Sequence, residues 1–215
     1  MNLIASNNRL FFNNFSIEVW SIDLRTYEKQ ESTMRNFLDQ TETKKADLFR
    51  FEHLRKNYIL SHGILRQLLS AYLNKDPLDI SFCYGPFGKP YLLNKAIHFN
   101  MSHSSDRVLY AFSFKQEVGI DIEYIKPHLS LKDLPLSVLS IKEQHKIRNL
   151  PLHEQKTAFY KKWTEKEAYL KAIGTGLQDN LAEIILPTTP EWNYLEVPLP
   201  LDYVGTLAAT SFFSS

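Results

Sequence analysis

The chain of 215 residues has a single cysteine, Cys83. That excludes an intrachain disulfide framework and a zinc site built on several thiolates. No stretch is Gly/Ser-rich or of low complexity, so no flexible linker separates independent domains. No apolar run approaches the roughly 18 residues of a membrane span. The opening MNLIASNNRLFFNNF lacks a basic region followed by an uninterrupted apolar one, so it does not read as a secretory signal. Neither sign of charge dominates: 25 Lys+Arg against 24 Asp+Glu leave a net charge of +1. A dedicated nucleic-acid binder carries a strong basic excess, so no nucleic-acid partner is expected. The expectation is a cytoplasmic protein with no membrane partner. Aromatic residues are plentiful, with 14 Phe and 11 Tyr, enough for a well-packed core.

Alternation of Ile17 and Val19 with Glu18 and Trp20 predicts a strand over 15–24. Short helices are expected within 31–51. Leu54, Tyr58, Leu65, Leu68, Leu69 and Tyr72 form an apolar stripe at helical spacing, so 52–73 reads as a long helix ended by Asn74 and Pro77. Strands are expected at 80–84, 97–101, 108–114 and 118–125, with GPFGKP (85–90) a turn and 127–135 a loop. Ser140 and Glu143 have capping-box spacing, which starts a short helix at 141. A second long helix over 153–173 stops at Gly174 and Gly176. Three β-like stretches follow, near 181–186, 193–197 and 203–212. EVWSIDL (18–24) resembles EVGIDIE (117–123), and a long helix follows each. The repeated order suggests two similar halves, a pseudo-dimer.

Four segments carry candidate chemistry. Asp121 and Glu123 stand two apart on a strand and so share a face, opposite Val118, Ile120 and Ile122. Two carboxylates so placed repel unless a cation lies between them, and Mg²⁺ takes such oxygen ligands. A solvated strand face is the alternative. Gly119 beside them would let a ligand approach the backbone. On the second long helix, Phe159, Trp163, Leu170 and Ile173 belong to an apolar face, with Glu167 at its margin one turn from Trp163. A carboxylate there needs a partner: Lys171 one turn on, a metal, or a proton. His103 stands among Ser102, Ser104 and Ser105 in an expected polar turn, where it donates to a phosphate or caps the turn. In GPFGKP, Lys89 adds charge beside two glycines that would admit a flat ligand; an ordinary β-turn is the alternative. The G-x-x-x-x-G-K spacing of a P-loop is missing.

Taken in order, GKP (88–90), FNMSHS (99–104), VGIDIE (118–123) and WTEKEAYLKAIGTGL (163–177) resemble the 4′-phosphopantetheinyl transferase superfamily, in particular its single-chain Sfp-type members. The GILRQLLS of the first long helix extends the likeness upstream. The resemblance implies transfer of the phosphopantetheine arm of coenzyme A to a serine of an apo acyl or peptidyl carrier protein, with release of adenosine 3′,5′-bisphosphate. It implies Mg²⁺ on Asp121, Glu123 and Glu167, with Glu167 also the general base, directly or through a water. Lys171 would neutralise the phosphates, Ser102 and His103 would contact them, and Gly88, Lys89 and Pro90 would line the adenine side. It further implies two α+β halves, 1–110 contacting adenine and phosphate and 111–215 holding the metal and the catalytic groups, in a monomer.

One departure stands out. Family members carry an arginine, used on the 3′-phosphate, nine residues before the arginine of the first long helix. With Arg66 as that reference the position is Asn57. Arg55 and Lys56 are adjacent and are expected to substitute for it on the coenzyme, although a shift of one residue turns a helix by about 100°. Dephospho-coenzyme A should then be tolerated better than in other members. The competing readings are another Mg²⁺-dependent phosphotransferase or phosphohydrolase, and a non-catalytic subunit that binds carrier protein.

Overall fold

The computed structural model describes residues 9–12, 16–176, 180–188 and 191–210. Residue 15, residues 211–212 and Leu177, all within predicted elements or motifs, lie outside these. In chain order the elements are β1 (Arg9–Phe12), β2 (Ile17–Asp23), α1 (Glu31–Arg35), α2 (Gln40–Asp47), α3 (Glu52–Leu73), β3 (Phe82–Tyr84), β4 (Pro90–Leu92), β5 (His98–Ser104), β6 (Arg107–Ser113), β7 (Val118–Tyr124), α4 (Ile141–Arg148), α5 (Leu152–Ile173), β8 (Trp192–Glu196) and β9 (Tyr203–Thr210).

The strand pairing makes the repeat visible. The first sheet runs β1-β2-β6-β5 and the second β7-β9-β8, all neighbours antiparallel. Remove β1, and both read strand, last strand, penultimate strand. In each half a 22-residue helix follows the first strand. Both helices end on a left-handed residue, Asn74 (φ 51°) and Gly174 (φ 71°), whose N–H returns to the carbonyl four residues back. Ser140 and Glu143 close the expected capping box at the start of α4.

β2 is buried on both faces, so its alternation is not one of apolar against polar. Trp20 and Ile22 pack under α3 with Tyr58, Leu65, Leu68, Leu69, Tyr110 and Phe112. Ile17 and Val19 point the other way, into a core shared with Val118, Ile120, Ile122, Leu207 and Ala209 of the second half. The halves therefore share apolar interior rather than meeting at a polar rim. Two stripe residues fall outside: Leu54 and Ile173 are exposed, because each lies in an end turn of its helix beyond the sheet. The stretch 181–186 is not a strand. Leu181–Glu183 form a 3-10 turn instead, since Leu181 is drawn into the core and its carbonyl accepts from the Lys166 ammonium.

Candidate active site

Gly119 sets how closely α5 meets β7. A Cβ there would lie 2.0 Å from the Ala168 carbonyl oxygen and 2.3 Å from the Ala172 nitrogen. The space that the sequence opened to a ligand is filled by helix backbone, with Ala168, Ala172 and Ala208 as the small contacts around it. This approach brings carboxylates of the strand beside those of the helix.

Asp121 is not on a solvated face: it is 3% exposed. Lys171 Nζ donates to Asp121 Oδ1 at 2.6 Å and to Ser102 Oγ at 2.8 Å, and Ser102 Oγ donates to the same Oδ1 at 2.8 Å. Ser102 is thus committed to this cluster. Glu123 Oε2 accepts from Ser104 Oγ at 2.9 Å. Asp121 Oδ2 and Glu167 Oε1 are buried with no hydrogen-bond partner. Burial, then the charge on Asp121, pushes Glu167 up to about 7, with Lys171 pulling against them and Glu123 adding to the rise. Burial and Asp121 also raise Glu123. Among the described residues no three His, Cys, Asp or Glu side chains form a ready-made metal cage. Two orphaned buried oxygens among repelling carboxylates are nonetheless what a hard cation satisfies, with waters and phosphate oxygens completing its shell. The donor set fits Mg²⁺.

Beside this cluster opens a pocket of about 500 Å³. Its lining combines cationic or imidazole groups (Lys45, His62, His103, Lys171) with a flatter wall of Tyr58, Phe82, Tyr84, Pro90 and Met101. His103 lies within β5, not in a turn, because β5 continues to Ser104 before the hairpin at Ser105. The protein around it, then the Lys171 charge, lowers its pKa against the pull of Asp121. A smaller cavity of about 250 Å³ runs between Phe87, Gly88 and Pro90 on one side and Glu167, Leu170 and Lys171 on the other.

Other predicted contacts stand differently. Lys89 Nζ donates to Glu117 Oε2 at 2.8 Å and to the Ala172 carbonyl at 2.7 Å, so its ammonium ties the 85–90 turn to the end of α5. Lys56 pairs with Glu28 at 3.1 Å, and Asn57 donates to the Ser105 carbonyl at 3.1 Å. From α3 the larger pocket is lined by Tyr58, His62 and Leu65, not by Arg55 or Lys56. Trp163 is half-buried rather than a core residue, and its indole stands beside Glu123, opposing the rise of that carboxyl. Sequence reasoning missed Lys45 and the stacked Tyr58–His62 pair, ring centroids 3.8 Å apart, where burial pushes His62 down to about 4. The i, i+4 spacing of that pair was its one sequence signal; Lys45 had none.

The comparisons agree with this architecture. The profile of the 4′-phosphopantetheinyl transferase superfamily matches residues 117–204, and that of the 4′-phosphopantetheinyl transferase N-terminal region matches 25–115. The chain is 32% identical over 210 residues to the 4′-phosphopantetheinyl transferase HetI of a Nostoc species, covering 91% of this chain and 88% of HetI. It is 30% identical over 151 residues to 4′-phosphopantetheinyl transferase Sfp of Bacillus subtilis, covering 70% of this chain and 66% of Sfp. With two halves of one strand order, acids gathered where α5 meets β7, and a relative matched along nearly its whole length, the chain belongs to the 4′-phosphopantetheinyl transferase superfamily and is of the Sfp type.

Proposed function

We propose that this protein transfers the 4′-phosphopantetheine group of coenzyme A to a serine hydroxyl of an apo carrier protein, with Mg²⁺ held by Asp121, Glu123 and Glu167. The observation that carries the reading is the pairing of two features. A cluster of carboxylates with two orphaned buried oxygens adjoins a pocket whose wall offers both anion-binding groups and aromatic surface.

The pocket divides as the coenzyme does. The adenine lies against Tyr58, Phe82, Tyr84 and Pro90, and Gly88 lets the turn come close. Lys45, His103 and Lys171 face the phosphates; Lys45 takes the place that Arg55 and Lys56 do not reach. The pantetheine arm leaves through the cavity between Phe87 and Leu170. Bound Mg²⁺ supplies neutralising charge on the pyrophosphate.

The serine oxygen forms a bond to the phosphorus that carries pantetheine. The bond from that phosphorus to the bridging oxygen breaks, and adenosine 3′,5′-bisphosphate departs with the electron pair. Glu167 receives the serine proton, directly or through one water, on the carboxylate oxygen that the cation would leave free. Lys171 holds the ground between Asp121 and the phosphates, so the charge of the leaving group meets a fixed ammonium. Both halves contribute from one chain, and the protein acts as a monomer in the cytoplasm.

The test is intact-mass spectrometry of several apo carrier proteins incubated with this protein, coenzyme A and Mg²⁺, with an EDTA control. A gain of one phosphopantetheine that EDTA abolishes is expected, and the panel identifies which carriers are served. No gain on any carrier, together with no coenzyme A binding by calorimetry, would overturn the reading. Hydrolysis of the coenzyme pyrophosphate without transfer would replace it with a phosphohydrolase.

A further inference from the structure

β5 of the first half and β7 of the second lie side by side but belong to different sheets. Three side chains of β5 stand where ladder hydrogen bonds would be. Asn100 Oδ1 accepts from the Ile120 N–H at 2.9 Å. Ser102 Oγ donates to Asp121 at 2.8 Å. Ser104 Oγ donates to Glu123 Oε2 at 2.9 Å and accepts from the Tyr124 N–H at 3.0 Å. Residues 100, 102 and 104 share one strand face, and so do the two carboxylates they meet.

We propose that Ser104, from the first half, is a positioning residue for Glu123 in the second half, fixing which carboxylate oxygen is turned toward the cation. The inference rests on the metal reading above. A hydroxyl has one proton and two lone pairs. The Tyr124 N–H occupies a lone pair, which orients the O–H toward Glu123. The Trp163 indole of α5 stands beside the same carboxylate. Tied to β5 through Oε2, Glu123 cannot turn freely, and Oε1 is the oxygen left for the cation. Ser102 cannot be separated from the charge cluster in this way, because Lys171 donates to it directly. Among the described residues the hydrogen bonds of the Ser104 hydroxyl go to Glu123 and one backbone N–H, so its effect on the site passes through Glu123.

The experiment measures Mn²⁺ binding by electron paramagnetic resonance in the full-length protein with coenzyme A present, beside melting temperature and coenzyme A affinity in EDTA. Ser104→Ala should weaken Mn²⁺ binding about tenfold, the lower end of what loss of a partner to a metal ligand costs, with coenzyme A affinity in EDTA unchanged. Ser104→Thr should restore most of the loss. In a Glu123→Gln background Ser104→Ala should add nothing, since the two act as one unit. Should the alanine variant not fold, Ser104→Cys, a near-isostere with a weaker donor, carries the same ordering. Wild-type Mn²⁺ affinity in Ser104→Ala, or an undiminished effect in the Glu123→Gln background, would overturn the inference while leaving the metal site standing. A wild-type protein that binds no Mn²⁺ would overturn the metal reading and this inference with it.

Discussion

The two long helices rest on the same arrangement of strands and touch it in opposite ways. α3 stands off on large side chains: the Trp20 indole donates to Tyr72 Oη at 2.9 Å, and Tyr110 Oη donates to the Ser61 carbonyl at 2.7 Å. α5 lies on the backbone of β7 through Gly119 and a row of alanines. Their buried charges differ as well. Arg66 of α3 is fully buried and fully used, with Asp39 at 2.6 Å, Glu42 at 2.5 Å and the Pro77 and Ile80 carbonyls around it. In the second half Asp121 Oδ2 and Glu167 Oε1 are left without partners. A satisfied buried ion network holds structure, whereas unsatisfied buried oxygens destabilise the free protein and await a ligand. At these two clusters one half of the repeat is closed upon itself and the other is left open, although Gln67 Oε1 and Arg107 Nε of the first half also lack partners and Lys166 of the second is fully paired.

The sharpest break of this contrast is a crossed pair of substitutions. Asp121→Ala should reduce transfer below about a thousandth of wild type, as when an electrostatic contact to the reacting group is lost. Its melting temperature should change little, since relief of the repulsion with Glu123 and Glu167 offsets the lost bonds from Lys171 and Ser102. Arg66→Met should do the reverse. It strands Glu42 and Asp39 and should cost about 3–5 kcal/mol, with kcat per folded molecule preserved. Urea unfolding and initial rates on both variants decide it. Should each variant lose both properties equally, the division between a structural network around Arg66 and a reactive cluster around Asp121 would be wrong.

Gly119→Ala probes the contact itself. The new methyl would meet main-chain atoms of Ala168 and Ala172, which cannot rotate away. A loss of about 3 kcal/mol or more is expected, at the top of the range for overpacking. Because α5 must lift from β7, Glu167 and Lys171 move off Asp121 and kcat should fall with stability. Normal kcat at full folding would mean that the close approach serves packing alone.

Much of this was legible in the sequence because its signals were local. The helix at 52–73, the capping box at Ser140 and the stop at Gly174 each follow from a few neighbouring residues. Asp121, Glu123, Glu167 and Lys171 stood out through strand and helix periodicity together with a family likeness. What escaped depends on contacts across the chain. Nothing near Lys89 announces that its ammonium ends on Ala172, 83 residues away. Gly119 pointed to close approach, but not to what approaches. Trp163 fits an apolar helical face, yet it is only half-buried beside Glu123, so truncating it should cost less stability than a fully buried tryptophan would. The spacing of Asn100, Ser102 and Ser104 was readable as one strand face; its meaning needed the strand opposite.

The smallest predicted effect concerns the open half in the absence of cation. Glu167 carries a folded-state pKa of about 7 against an ordinary value of 4.5. The folded protein therefore holds a proton that the unfolded chain has released between those values. Stability must fall as pH rises from about 4.5 to 7, then level off, with a total on the order of 2 kcal/mol. Glu167→Gln cannot ionise and escapes this loss. In EDTA its stability relative to wild type should rise from pH 5 to pH 8, measured by urea unfolding at each pH. A difference that stays flat across that range would show the carboxyl to be ordinary. Added Mg²⁺ favours the ionised form, so its stabilisation of wild type should grow over the same interval and be weaker in the glutamine variant. Glu42 in the closed half is also raised by burial, but the Arg66 guanidinium opposes that rise, and Mg²⁺ should leave its share of the pH dependence untouched.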